Sequence, residues 1–345
     1  MHNNYIYPLN LDFVKSYVEK QTPGNANKEL KVLADQIPSV LDKCREPTTL
    51  KKYTCYFNLW KDWAERYSLK CFPADEFQVA LFLLSLIQGD ASISIIESCF
   101  YAIKFHHNII SCHDPCEAPI VKNMLEAAKR IKKQQVKKKD PITVDHLNSI
   151  FNYLGGENAD LKNLRTLVIC LIGFSGFLRF NEIVNLSRSD IIFFDTYMTL
   201  FISKSKTDVY RKGSTVFIAE NNSDLCPVKN LKQYLVKAEI AENSEKFIFR
   251  AITAGNKQSL RKTNKPISYT RAREMFLDVI KDIGLDPRNF GLHSLRSGGA
   301  SAAANTGVND RLFKRHGRWK SDQAKDGYVE DNISALLSVS QTLGL

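Results

Sequence analysis

Tyr328 stands nine residues after Trp319 in the polar stretch HGRWKSDQAKDGY, residues 316–328. A tyrosine in a plain surface helix packs its ring and gives its hydroxyl to a backbone carbonyl. A tyrosine nucleophile needs more, because a phenol ordinarily titrates at about pH 10 and must lose its proton as it attacks. It needs cationic company, and this stretch alone does not supply it.

Three other places in the chain offer that company. In GLHSLRSGGASAAA, residues 291–304, His293 and Arg296 are three apart at the start of a predicted helix. They share a face beside free backbone N–H groups, which together make an anion site; a capped surface pair has the same letters. Gly298, Gly299, Ala300, Ala302 and Ala303 predict close packing of this helix, which sets its N-terminus in a crowded cleft. Arg179, in SGFLRFNEI, follows the break of an apolar helix, with Glu182 three residues on to orient it or simply to pair with it. Lys206, in SKSKTDVYRKG, falls at or near a predicted hairpin turn, where a lysine is normally solvated.

Together these residue types suit one class of reaction. A phosphodiester attacked by an oxygen nucleophile gathers charge on its non-bridging oxygens, and catalysis is mainly positioning and electrostatic stabilisation. Guanidiniums serve well, as planar forks of donors that stay charged at any working pH. A metal-dependent nuclease or a DDE-type integrase would need several convergent carboxylates to hold two cations. The sequence offers no such cluster, and Glu182 alone does not make one.

Composition points the same way. The 345 residues carry 48 Lys and Arg against 37 Asp and Glu, a formal charge of +11, so the surface attracts a polyanion before any specific contact forms. Nucleic acid is the leading partner. Eight cysteines without a CxxC pair predict reduced, mostly buried thiols. His106, His107, Cys112, His113 and Cys116 cluster in HHNIISCHDPC, but their spacing fits no standard zinc site and suits a polar loop between helices. The start has no signal- or transit-peptide character, and VALFLLSLI, residues 79–87, is about half the length of a membrane span. A soluble intracellular protein without a membrane partner is expected.

These residues must be held by two different regions. After a tail over 1–27, residues 28–134 read as a bundle of about five helices; in TTLKKYTCYFNLWKDWAERY, Tyr53, Phe57, Trp60 and Ala64 mark an inward face, with Thr48 or Thr49 as cap. A basic run follows in KRIKKQQVKKKDP, residues 129–141: Lys129, Arg130, Lys132, Lys133, Lys137, Lys138 and Lys139 supply seven cations within eleven residues. Such a run is a solvated linker or a grip on DNA phosphates, and a domain boundary belongs here, with 135–141 as linker. Residues 142–345 are mixed: a helix from Thr143 as cap, an apolar helix broken near Ser175 and Gly176, and a hairpin in YMTLFISKSKTDVYRKGSTVFIA. Further helices run to the end of the chain. The fold class is mainly α with a small β-sheet.

Arg179 with Glu182, a hairpin Lys206, His293-x-x-Arg296, then Trp319 and Tyr328 nine apart: in this order the residues resemble the signature of the tyrosine recombinase (phage integrase) family, over roughly residues 28–345. The resemblance implies a helical core-binding (SAM-like) domain at 28–134 and an α+β catalytic domain at 142–345. It implies cleavage and rejoining of DNA through a 3′-phosphotyrosine, with Tyr328 as nucleophile, Lys206 as general acid and His293 as a base. Trp319 takes the place the family gives to His or Trp, although HGRWKS departs from the commoner Leu-Gly-His wording, and His316 is out of register, a DNA or packing residue. No metal and no other cofactor is implied; the partners are double-stranded DNA and further copies of the chain, as a tetramer on DNA. The wording KTDVYRKG and HSLRSGGASAAANTG is most similar to eukaryotic mobile-element recombinases, DIRS-like and Crypton, and so to a nuclear protein; otherwise the cytoplasm or nucleoid is expected. A domesticated DNA-binding protein and a type IB topoisomerase share parts of the pattern. Ile333, Leu336, Leu337 and Val339 form an apolar patch that docks on its own domain or, by the resemblance, on a neighbouring protomer.

Overall fold

A computed structural model describes residues 12–24, 27–110, 113–133, 137–206, 208, 210–253 and 258–344. The chain divides into two compact units, Met1–Val136 and Lys137–Leu345.

The first unit holds α1 (Asp12–Gln21), α2 (Lys28–Leu41), α3 (Pro47–Arg66), α4 (Glu76–Gln88), α5 (Ile93–Asn108) and α6 (Pro119–Ile131). Its core takes Phe57, Trp60 and Ala64 from α3, Leu83 from α4, Ile103 from α5 and Val121 from α6, all fully buried. The i, i+3, i+7 spacing on α3 thus marks its inward face. Two expectations fail. Residues 12–21 are not tail but helix, because Val14 and Val18, four apart, bury one face against Leu50 and Ile110. Neither Thr48 nor Thr49 caps α3, which starts at Pro47, where the missing N–H and preset φ suit a first turn.

The histidine–cysteine cluster is a polar loop only in part, with His113 exposed between α5 and α6. His106 and His107 lie buried in the last turn of α5. His107 accepts the Ala74 N–H at Nε2 (2.9 Å), and its Nδ1 lies 2.8 Å from the Ile103 carbonyl oxygen. The Cys116 thiol is spent on the Phe100 carbonyl, and burial pushes it far above its usual range. Cys112 lies outside the described residues, and among those described no group of three or more His, Cys, Asp or Glu is placed to hold a metal.

The second unit begins with α7 (Val144–Tyr153), capped by Thr143 as its sequence predicts, and α8 (Leu161–Ser175), buried on every side from Leu164 to Gly173. There follow α9 (Phe180–Val184), β1 (Ile191–Phe193), β2 (Tyr197–Ile202), β3 (Ser214–Ala219), α10 (Pro227–Lys237), α11 (Tyr269–Asp282), α12 (His293–Asn305), α13 (Asp310–Gly317), α14 (Asp322–Asp326) and α15 (Ile333–Gln341). The strands form an antiparallel sheet in the order β1-β2-β3, with Leu200 opposite Ile191 on one side and Val216 on the other. β1, three residues long, is an addition to the expected hairpin.

The glycine pair of α12 sets the geometry of the unit. A Cβ on Gly298 would stand 2.0 Å from the Ile142 carbonyl oxygen, and one on Gly299 2.0 Å from that of Phe174. Only glycine lets α12 lie directly on the backbone at the end of α8, and this carries Arg296 to the turn where α8 breaks. Among the described residues, no helix is long and apolar enough to cross a membrane.

Candidate active site

At the C-terminus of α8 the chain turns through Gly176 and Phe177, whose φ of +47° is left-handed, and reaches Arg179, the N-cap of α9. The Glu182 carboxylate turns back on Arg179: one oxygen accepts its backbone N–H (2.9 Å), the other its guanidinium (2.9 Å). Glu182 is buried, while Arg179 keeps 14% of its side chain exposed.

Arg296, one turn into α12, is fully buried. Its guanidinium donates to the carbonyls of Phe177 and Gly317, the latter at 2.8 Å. Its carbon lies 5.0 Å from the Trp319 ring centre and 4.7 Å from that of Tyr328. The two rings are 5.8 Å apart. Burial first, then the neighbouring Arg179 and Arg318, lower the pKa of Arg296, since a desolvated cation among cations is easier to discharge. Among the described residues, three buried donors here lack partners: Arg296 Nε, Arg318 Nε and Trp319 Nε1.

Tyr328 is half-buried and follows α14. Lys325 pins that helix through Asp310, on α13, and lies 3.6 Å from Asp322 and from Asp326. Beyond Tyr328, Ser301 of α12 accepts the Glu330 N–H (2.9 Å), and Asn305 donates to the Glu330 carbonyl (3.0 Å). The tyrosine segment is therefore strapped to α12 and α13 from both sides.

His293 opens α12 with its side chain exposed. Its pKa is lowered by partial loss of hydration, then by Arg296, Arg179 and Lys206, against a weaker pull from Glu182. Lys206 is exposed on the β2–β3 connection and reaches the group through this field; Thr207 and Val209 beside it lie outside the described residues. Direct contacts join Arg179 to Glu182, and Arg296 to Trp319 and Tyr328; the two groups are coupled electrostatically, as are His293 and Lys206 to them.

The basic run is partly spent on its own surroundings. Lys129 pairs with Glu126 (2.7 Å), Lys132 donates to the Gly89 carbonyl (2.7 Å), Lys137 to Asn289 (3.0 Å) and Lys139 to the Arg288 carbonyl. Arg130, Lys133 and Lys138 are exposed.

Two further residues of HGRWKS bear on the site, and the first, His316, expected to meet DNA or to pack, packs. His316 Nε2 meets the Ser175 carbonyl oxygen at 2.8 Å and its ring stands edge-on to Phe177, so it packs inside the unit. Arg318 was missed altogether. It is buried and donates, at 2.9 Å, to the Glu182 oxygen that also accepts the Arg179 backbone N–H. Glu182 therefore sits between two arginines; burial raises its pKa, but Arg318 and Arg179 together bring it below the usual carboxylate range. The one trace of Arg318 in the sequence is an arginine where the Leu-Gly-His wording has glycine.

Residues 140–334, more than half of the chain, match the model of the phage integrase family. An integrase/recombinase XerD homolog from Selenomonas ruminantium is 28% identical over 294 residues, covering 84% of this chain and 83% of its own. Among solved structures, the XerH site-specific recombinase bound to its difH substrate is similar with a TM-score of 0.54 at 15% identity, covering 95% of this chain and 93% of that one. The Tn1549 transposon integrase in complex with circular intermediate DNA gives 0.51 at 13% identity (95% and 98%). The lambda integrase tetramer on a Holliday junction gives 0.52 at 17% identity (92% and 76%). The chain belongs to the phage integrase family and is a tyrosine recombinase.

Proposed function

We propose that this recombinase cleaves and rejoins double-stranded DNA at specific sites, with Tyr328 as the nucleophile and a 3′-phosphotyrosine as the intermediate. The Tyr328 hydroxyl oxygen bonds to phosphorus as the P–O5′ bond breaks, its electron pair leaving on the 5′ oxygen. The phenol proton passes to His293 and Lys206 gives a proton to the 5′ oxygen. Arg179, Arg296 and the Trp319 N–H stabilise the non-bridging oxygens. Rejoining is the same step reversed with a 5′ hydroxyl from another strand, so the bond energy is kept and no cofactor is consumed.

One observation carries this reading. Arg296 bonds the carbonyls of two distant turns and lies within 5.0 Å of both the Trp319 and Tyr328 ring centres. With Arg296 fully buried, a phosphate reaches it only after the Tyr328 ring swings off the guanidinium, so DNA binding and release of the nucleophile are one event.

The basic run, with Arg130, Lys133 and Lys138 exposed, supplies phosphate contacts. Assembly is a tetramer on DNA. In support, α15 leaves Ile333, Leu336, Leu337 and Val339 50–70% exposed, and a cavity of about 780 Å³ lined by Phe177, Phe217, Leu312 and Phe313 offers an apolar seat on a neighbouring protomer. The KTDVYRKG and HSLRSGGASAAANTG wording supports the eukaryotic mobile-element branch and a nuclear site of action.

The test is incubation with nicked suicide duplexes from the termini of the parent element, read on a denaturing gel. Wild-type protein should form a covalent adduct, and Tyr328→Phe should bind the same DNA and form none. Binding without any wild-type adduct would mark a silent DNA-binding protein, and plasmid relaxation without recombinants a topoisomerase.

A further inference from the structure

Arg318 occupies a backbone position that suits glycine: it caps α13 with φ +57° and ψ +36°, a left-handed conformation in which a side chain is crowded. Its side chain is only 8% exposed and every long-range contact it makes leads to the active site. One terminal nitrogen donates to the carbonyls of Gly176 (3.2 Å) and His316 (3.0 Å). The other donates to the Phe177 carbonyl (3.1 Å) and to Glu182 (2.9 Å). The Phe177 carbonyl also takes the Arg296 guanidinium, and Arg296 returns to the Gly317 carbonyl, next to Arg318 in the chain. Arg318, the Phe177 carbonyl, Arg296 and the Gly317 carbonyl thus close a ring through the Gly317–Arg318 peptide bond, and Glu182 ties Arg179 to it.

We propose that Arg318 is a positioning residue that fixes the two phosphate-facing arginines relative to each other and neutralises the Glu182 carboxylate, so that Arg179 keeps its positive charge for DNA. This inference rests on the proposed roles of Arg179 and Arg296. A buried carboxylate with Arg179 as its single cation would draw that guanidinium into a full ion pair and weaken its field at the phosphate. With Arg318 on one oxygen and Arg179 on the other, three guanidiniums face one carboxylate, and the surplus charge is available to substrate. Trp319, the next residue, is held in place by the same clamp.

The test is a double-substitution cycle on the full chain, read as single-turnover covalent adduct formation beside DNA affinity and melting temperature. Arg318→Met should slow adduct formation by roughly tenfold or more while DNA affinity changes little. In a Glu182→Gln background, where there is no buried carboxylate to neutralise, the same change should cost much less, a coupling of about tenfold. Equal losses in both backgrounds would overturn the proposal, because a merely structural Arg318 is indifferent to the charge on Glu182. Should Arg318→Met not fold, Arg318→Gln, which keeps hydrogen-bond donors but not the charge, runs the same cycle with the same expected coupling. Tyr328→Phe separates the two ideas: adducts surviving it would defeat the assignment of the nucleophile, whereas Arg318 fails only on the cycle.

Discussion

Arg296 and Tyr328 are stacked, the guanidinium carbon 4.7 Å from the ring centre, and Trp319 shares the same cation. A desolvated cation on an aromatic face is worth about 2 kcal/mol. The contact therefore holds the tyrosine segment down. In the proposed reaction a phosphate would offer Arg296 a stronger partner, so that one guanidinium would be both latch for the nucleophile and stabiliser of the transition state.

Arg296→Lys tests that double role. An ammonium cannot bridge the Phe177 and Gly317 carbonyls in one plane while lying under two rings. Adduct formation should fall by about 10²–10³, the usual cost of one misplaced transition-state donor. DNA affinity, set mainly by surface cations, should hardly change in a filter-binding or anisotropy titration. A loss of affinity equal to the loss of rate would show that Arg296 acts in binding alone.

Gly299→Ala tests the approach of α12. The added methyl would stand 2.0 Å from the Phe174 carbonyl oxygen and 2.8 Å from the Phe177 ring, so backbone must shift. Overpacking of this kind costs about 1–3 kcal/mol, to be read from denaturant unfolding of the whole chain. Moving α12 also pulls Arg296 from Phe177, so cleavage should fall with stability. Gly291→Ala is the control: it meets open space and should be nearly neutral.

The pH profile tests His293. Lost hydration and the cations Arg296, Arg179 and Lys206 lower its pKa from the ordinary imidazole value of 6.5, so it stays neutral, and able to take a proton, as pH falls through that value. Single-turnover cleavage should therefore hold from neutrality to below pH 6.5 and decline only in more acid solution, when the imidazole charges. An acid limb centred above that ordinary value would remove His293 as the base. His293→Gln should abolish this limb and lower the plateau by roughly 10² or more.

The sequence displays the parts of this site better than their assembly. Arg179, Lys206, His293, Arg296, Trp319 and Tyr328 are legible because each is a distinct chemical letter in a fixed order. The inward face of α3 and the Thr143 cap are legible because they obey local periodicity and capping. Arg318 is not legible: its value lies in bonds to Gly176, Phe177 and Glu182, more than 130 residues away in the chain, and locally it is one more cation in a basic protein. The Phe177 carbonyl is invisible for the same reason, being backbone. α1 was hidden because its amphipathic pattern is short and its partners, Leu50 and Ile110, come from later segments.

α15 carries the last prediction. A nine-residue helix with Ile333, Leu336, Leu337 and Val339 at least half exposed gains nothing from folding on its own surface, where none of its residues is buried. A helix so short is marginal in water and needs a partner to cover its apolar face. If that partner is a neighbouring protomer, truncation after Glu330 should leave single-site DNA binding within a fewfold of wild type. It should also remove the higher-order complex seen by light scattering or native gels on two-site DNA. Leu337→Asp should do the same without shortening the chain, since a carboxylate cannot enter the apolar cavity between Phe217 and Phe313. An intact complex in both variants would show that α15 docks elsewhere, and equal loss of binding and assembly would show that it supports the fold of its own unit.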